Sequence, residues 1–107
     1  MKARLYDMTD IIRSKNAGPY ELTFDMMFKD YEGFEKVCAA GVINKELIAR
    51  LYKIPVEDVI TIVHFRPAKA IKATIRRPIC SGDLGETDVY GAQQHAPLLD
   101  VEFDLPD

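Results

Sequence analysis

Tryptophan is absent from the 107 residues, and cysteine and histidine occur only twice each. Cys38 and Cys80 show no metal-ligand spacing, so two free thiols are expected rather than a bridge or a zinc knot. Basic residues are not in excess. The formal net charge is −3, which argues against a general nucleic-acid binder. No apolar run approaches the ~20 residues that cross a bilayer. The first residues, Met1 to Asp7, meet a carboxylate before any apolar stretch builds up, unlike a secretory signal, and the cytoplasm is the expected compartment. Repeats, low-complexity tracts and linkers are also missing. What remains is an ordinary soluble composition, 48% hydrophobic and 29% charged. A chain of this length forms one domain, here residues 1–107, and buries about two-thirds of its unfolded surface in one core.

Local patterns divide the chain. Ile11 and Ile12 suggest a short helix over Thr9 to Arg13, with Thr9 as N-cap and Asn16-Ala17-Gly18-Pro19 as its stop. From Tyr20 the period becomes two. Tyr20, Leu22, Phe24, Met26 and Phe28 share one face, and Glu21, Thr23, Asp25 and Met27 the other, a half-buried strand. Asp30 can cap a helix that carries Tyr31, Phe34, Val37 and Cys38 and ends at Gly41. Asn44 can cap a second helix, with Leu47, Ile48, Leu51 and Tyr52 as its stripe. Val59 to Phe65 is nearly continuous and β-branched, and predicts a central strand covered on both faces. After Arg66-Pro67, Ile71, Ala73 and Ile75 alternate with Lys72, Thr74 and Arg76, which closes a hairpin. Pro78 to Pro97 has no sustained period, and Leu99, Val101 and Phe103 predict a last strand. This order favours an α+β fold, an antiparallel sheet with helices on one face.

Three groups of residues carry candidate chemistry. Arg13, Ser14, Lys15, Asn16 and Gly18 suit an anion site, in which a glycine turn aims N–H groups at a phosphate or carboxylate. The P-loop spacing is missing, and a helix stop followed by a polar turn explains the same residues. The long loop holds Asp83, Glu86, Asp88 and His95. His95 with Asp88 or Glu86 would supply an acid and a base, while no EF-hand or zinc spacing assigns a metal. Tyr90, Gln93, Gln94 and His95 suit contact with a ligand or partner, against simple loop packing. Cys80 with His95 as base is a weaker pair, since nothing nearby lowers the thiol pKa. The third group is a basic stripe, Arg66, Lys69, Lys72, Arg76 and Arg77, which attracts a carboxylate or coenzyme phosphate or else pairs with Asp100 and Glu102. His64 reads as a satisfied sheet-face or core histidine, and Met26 and Met27 as packing residues.

The phrases Ser14-Lys15-Asn16-Ala17-Gly18-Pro19, Ala70-Ile71-Lys72-Ala73-Thr74-Ile75 and Asp88 to Pro97 together give a resemblance over nearly the whole chain. The chain resembles a small bacterial family of unknown function that accompanies acyclic-terpene-utilisation (AtuA-like) proteins. It is also similar to the C-terminal domain of those proteins, so residues 1–107 read as a single AtuA C-terminal-like domain. There an Arg-Ser-Gly-Asp-Lys-Gly segment precedes the first long strand. Arg13, Ser14 and Gly18 match it, and the central Asp-Lys pair does not. The resemblance implies a ferredoxin-like fold and an AtuA-like large partner, without a settled reaction.

These readings converge on a small accessory or binding subunit. It associates with an AtuA-like large subunit or with copies of itself, and completes a site for an acyl-CoA or organic acid. A small anionic ligand is expected, and no cofactor is. The alternative is a stand-alone lyase or hydratase using His95 with Asp88 or Glu86. Leu22, Phe24, Ile48, Leu51, Ile62 and Val63 are expected in the core. Arg13 to Gly18 and Asp88 to His95 are expected to meet, if the Tyr20 and Leu98 strands are parallel neighbours.

Overall fold

A computed structural model describes residues 2–18, 20–76 and 96–105. The α+β class holds. A four-stranded antiparallel sheet has the order β2-β3-β5-β4, built from β2 (Thr9–Gly18), β3 (Glu21–Phe28), β4 (Val59–Phe65) and β5 (Ala70–Arg76). The helices α2 (Tyr31–Ala40) and α3 (Lys45–Tyr52) connect β3 to β4. A second, two-stranded sheet pairs β1 (Lys2–Arg4) with β6 (Glu102–Asp104), and a single helical turn, α1 (Leu5–Met8), leads from β1 into β2.

Local chemistry sets the helix ends. The Asp30 carboxylate accepts the Gly33 N–H at 2.7 Å, and the Asn44 side chain accepts the Leu47 N–H at 2.8 Å, so both predicted N-caps are in place. Gly41 ends α2 with φ +64°, in the left-handed region where a side chain is penalised. The two helices cover one face of the sheet. Phe24 stacks on Tyr52 with ring centroids 4.5 Å apart, and Phe28 meets Phe34 edge-on at 6.0 Å. Leu22, Met26, Ile48, Val59, Ile71, Ala73 and Ile75 complete this layer. Leu5, Leu98, Val101 and Leu105 join the same core, fixed by a hydrogen bond from the Leu5 N–H to the Val101 carbonyl at 2.9 Å.

Four expectations are corrected. The first helix is Leu5–Met8, and Thr9 opens a ten-residue strand instead of capping a helix. The Thr9 hydroxyl donates to the Leu5 carbonyl at 3.0 Å, which satisfies the end of that turn. β4 is an edge strand rather than a central one. Among the described residues it pairs only with β5, and its β-branched run advertises a strand without saying how many neighbours it has. Accordingly Val63 is 46% exposed, and Leu51 and Ile62 are only partly buried. The last strand shrinks to three residues. Ala96–Asp100 forms 3-10 turns that bury Leu98, and β6 pairs with β1. β3 has β2 and β5 as its neighbours, so the Tyr20 and Leu98 strands do not lie side by side.

Because β3 and β4 are each antiparallel to β5, they run parallel with β5 between them, a split βαβ unit with α2 and α3 as the crossover. As in the first unit of a ferredoxin-like sheet, the gap is filled by the strand that follows the unit, here β5; β2 lies where that fold has its last strand, and β1 belongs to the small sheet.

Candidate functional site

The face of the four-stranded sheet opposite α2 and α3 carries no helix among the described residues. Strand register decides what meets there, because directly opposed residues point to the same side. Arg13, Asp25, Lys72 and Val63 form one row across all four strands. Lys15, Thr23, Thr74 and Thr61 form the next, and Ile11, Met27, Ala70 and Phe65 flank the first on its other side.

Asp25 is the centre of this face. It is 1% exposed, although it was expected on a solvated side. Its Oδ2 accepts from Arg13 Nε at 3.1 Å, and Lys72 Nζ stands 3.7 Å from its Oδ1. A buried carboxylate is tolerable only with such partners. Oδ1 has no hydrogen-bond donor among the described residues. Beside this row the Thr23 and Thr74 hydroxyls bond at 3.0 Å. Lys72 Nζ also lies 5.3 Å from the centre of the Phe65 ring, a cation–π contact. Arg13, Lys15, Lys72 and Arg76 outnumber Asp25 and Glu21 on this face, so it is locally positive on a chain of net charge −3. Such a surface suits an anionic group or an acidic protein patch.

The anion turn expected at Arg13 to Gly18 is corrected. The segment is a strand paired with β3 through Asn16 opposite Leu22 and Gly18 opposite Glu21. Alternation then splits the predicted residues. Arg13 and Lys15 lie on the open face, while Ser14, opposite Phe24, is buried toward the helices, and Asn16 follows on that side. A loop cradle is therefore replaced by side-chain cations on a flat sheet. Glu86, Asp88, Tyr90, Gln93, Gln94 and His95, together with Asp83, Cys80 and Arg77, lie outside the described residues, as does the expected meeting of the two segments. Asp25, Thr23 and Thr74 were missed by sequence reasoning. The available signal was a lone carboxylate in mid-strand between Phe24 and Met26.

The basic stripe finds partners other than Asp100 and Glu102. Arg66 pairs with Glu35, Lys72 with Asp25, and Arg76 with Asp58 at 3.8 Å, while Asp100 pairs with Arg4 at 3.4 Å. The reason is topological, since Asp100 and Glu102 belong to the segment that joins β1. His64 lies opposite Ile71 but is exposed, in an open groove of about 550 Å³ shared with Phe34, Cys38 and Arg66. Burial pushes the Cys38 thiol up, with Arg66 opposing and Glu35 adding to the shift. A thiol raised in this way stays protonated near neutrality and is a poor nucleophile. Among the described residues no group of three or more His, Cys, Asp or Glu side chains is placed to hold a metal ion, and no helix is long and apolar enough to cross a membrane.

Comparison with curated proteins and with solved structures finds no match. A family described as a domain of unknown function, DUF4387, matches residues 5–102. That span takes in the whole four-stranded sheet and helices α1 to α3, so the chain belongs to the DUF4387 family.

Proposed function

We propose that this chain is a cytoplasmic binding subunit that presents the open face of its four-stranded sheet to an AtuA-like large protein. In that complex Arg13, Lys15 and Lys72 would help complete a site for an acyl-CoA or organic acid. The observation that carries this reading is the buried Asp25 between Arg13 and Lys72 on a sheet face that no helix covers among the described residues. The carboxylate orders two cations without neutralising both. Ile11, Val63 and Phe65 supply exposed apolar area around the charges, the mixture expected of a specific interface. Arg13 and Ser14 also belong to the segment that resembles the AtuA-like C-terminal domain.

The test is light scattering coupled to size-exclusion chromatography, on the chain alone and after mixing with the AtuA-like protein. The expected result is one joint species at micromolar concentration, burying over roughly 1,000 Å². Arg13→Glu with Lys72→Glu should separate it into two. Independent elution of the wild-type proteins would overturn the proposal. Turnover of an organic acid by the isolated chain, abolished by His95→Ala, would put the lyase or hydratase reading in its place.

A further inference from the structure

The two edges of the four-stranded sheet are built differently. β2 carries Asp10, Arg13 and Lys15, and its register breaks at Thr9/Ile11 and again at Asn16/Gly18. Charges and irregularities of this kind discourage the addition of another strand. The other edge, β4, reads Val-Ile-Thr-Ile-Val-His-Phe, with no Asp, Glu, Lys, Arg or Pro. No strand lies on its outer side among the described residues. Thr61, Val63, His64 and Phe65 are all exposed. Charge is confined to the flanks. Glu57 and Asp58 precede the strand, and Arg66 and Lys69 follow it.

We propose that β4 pairs antiparallel with β4 of a second copy of this chain, joining two four-stranded sheets into one of eight strands. The flanks choose the occupant and the direction. Antiparallel self-pairing brings the acidic end of one strand to the basic end of the other, whereas parallel pairing sets like charges together. Register follows from the irregularity between Val59 and Thr61, which leaves Thr61 to Phe65 as the regular stretch. Its midpoint is Val63, so the two-fold axis passes there. Val63 then faces its own counterpart, Thr61 of each copy faces Phe65 of the other, and Ile62 faces His64. These are β-branched and aromatic cross-strand pairs, which stabilise antiparallel ladders. The contact is closed, because the same edge is used by both copies and β2 resists further growth. It uses the backbone edge of β4 and shares only the Val63 and Phe65 side chains with the contact proposed for the open face, whose cations stand on β2 and β5.

Light scattering on the chain alone, at micromolar concentration, tests this directly. The expected mass is twice the 12.1 kDa of the chain. Val63→Lys sets two ammonium groups against each other on the axis and should halve the mass, with the circular dichroism spectrum unchanged. A monomeric wild type would overturn the proposal, and so would a dimer indifferent to Val63→Lys. Should that variant fail to fold, cross-linking decides, in a Cys38→Ser, Cys80→Ser background. Val63→Cys alone should form a disulfide between copies under mild oxidation. Thr61→Cys should do so only when mixed with Phe65→Cys. Absence of the Val63→Cys cross-link, or cross-linking of Thr61→Cys with itself, would overturn the register. Loss of binding to the AtuA-like protein with the dimer intact would count against the open-face contact and leave this one standing.

Discussion

Phe24 and Asp25 are consecutive residues of β3, 0% and 1% exposed, and they are buried by different means. Phe24 faces the helices, stacked on Tyr52 and placed opposite Ser14 and Ala73. Asp25 faces the open side, held by Arg13 and Lys72 from the strands on either side. The covered face is a hydrophobic layer whose strength comes from area removed from water. The open face gains little in that way. An ion pair taken from water roughly repays its own desolvation, so Asp25 contributes arrangement more than stability. It aligns β2, β3 and β5 and fixes where two cations stand. One strand thus separates an apolar, helix-covered face from a charged one by alternation alone.

Truncating Phe24 tests the covered side and should give the largest effect. Phe24→Ala is expected to cost about 3–5 kcal/mol in chemical denaturation, the range for a fully packed aromatic ring. A loss below about 1 kcal/mol would mean that the helices do not seal this face.

The open side should show an asymmetry within its own network. Arg13→Met with Lys72→Met leaves Asp25 as a buried carboxylate without a cation. The expected cost is about 3 kcal/mol, at the low end for a broken buried pair because the cations themselves are partly exposed. Asp25→Asn removes the charge and keeps the shape, leaving the cations to water, and should cost within about 1 kcal/mol. Denaturation midpoints of the two variants decide it. If Asp25→Asn is the more damaging, the carboxylate is a stability element and the contrast between the faces fails.

How far this was visible in the sequence depends on the range of the signal. Asp30, Gly41 and Asn44 act within one helical turn, and each is where its residue type predicts. The alternation of β3 and β5 is also local, so Leu22, Phe24, Met26, Ile71 and Ala73 are legible as core. Neighbour relations are not local. Val59 to Phe65 shows what an interior strand shows, yet its place at the edge is set by the crossover of α2 and α3. β1 and β6 have three residues each, too few for a period to form. The site falls into the same class. Arg13, Asp25 and Lys72 lie on three strands, and only the register of β2 and β5 against β3 joins them. Arg13 and Lys72 were each recognisable as basic candidates, but the carboxylate that organises them was not.

The smallest expected effect asks whether the covered face tolerates charge as the open face does. Tyr52 packs on Phe24, and burial pushes its phenol well above the ordinary tyrosine value of about 10. The folded state therefore holds the Tyr52 proton more tightly than the unfolded state. That stabilisation is complete below about pH 10 and is lost as the pH rises beyond it, because only the unfolded chain can ionise freely there. Tyr52→Phe removes this linkage while retaining the stack. Between about pH 8 and about pH 11 the wild type should lose about 1 kcal/mol more than the variant, since one pH unit of such a difference is worth about 1.4 kcal/mol. Denaturation midpoints at the two pH values measure it, with Tyr6→Phe, an exposed ring, as the control. An equal alkaline decline in wild type and Tyr52→Phe would show that the helix side accepts a tyrosinate as readily as the open side accepts Asp25. Burial of charge would then no longer distinguish the two faces of β3.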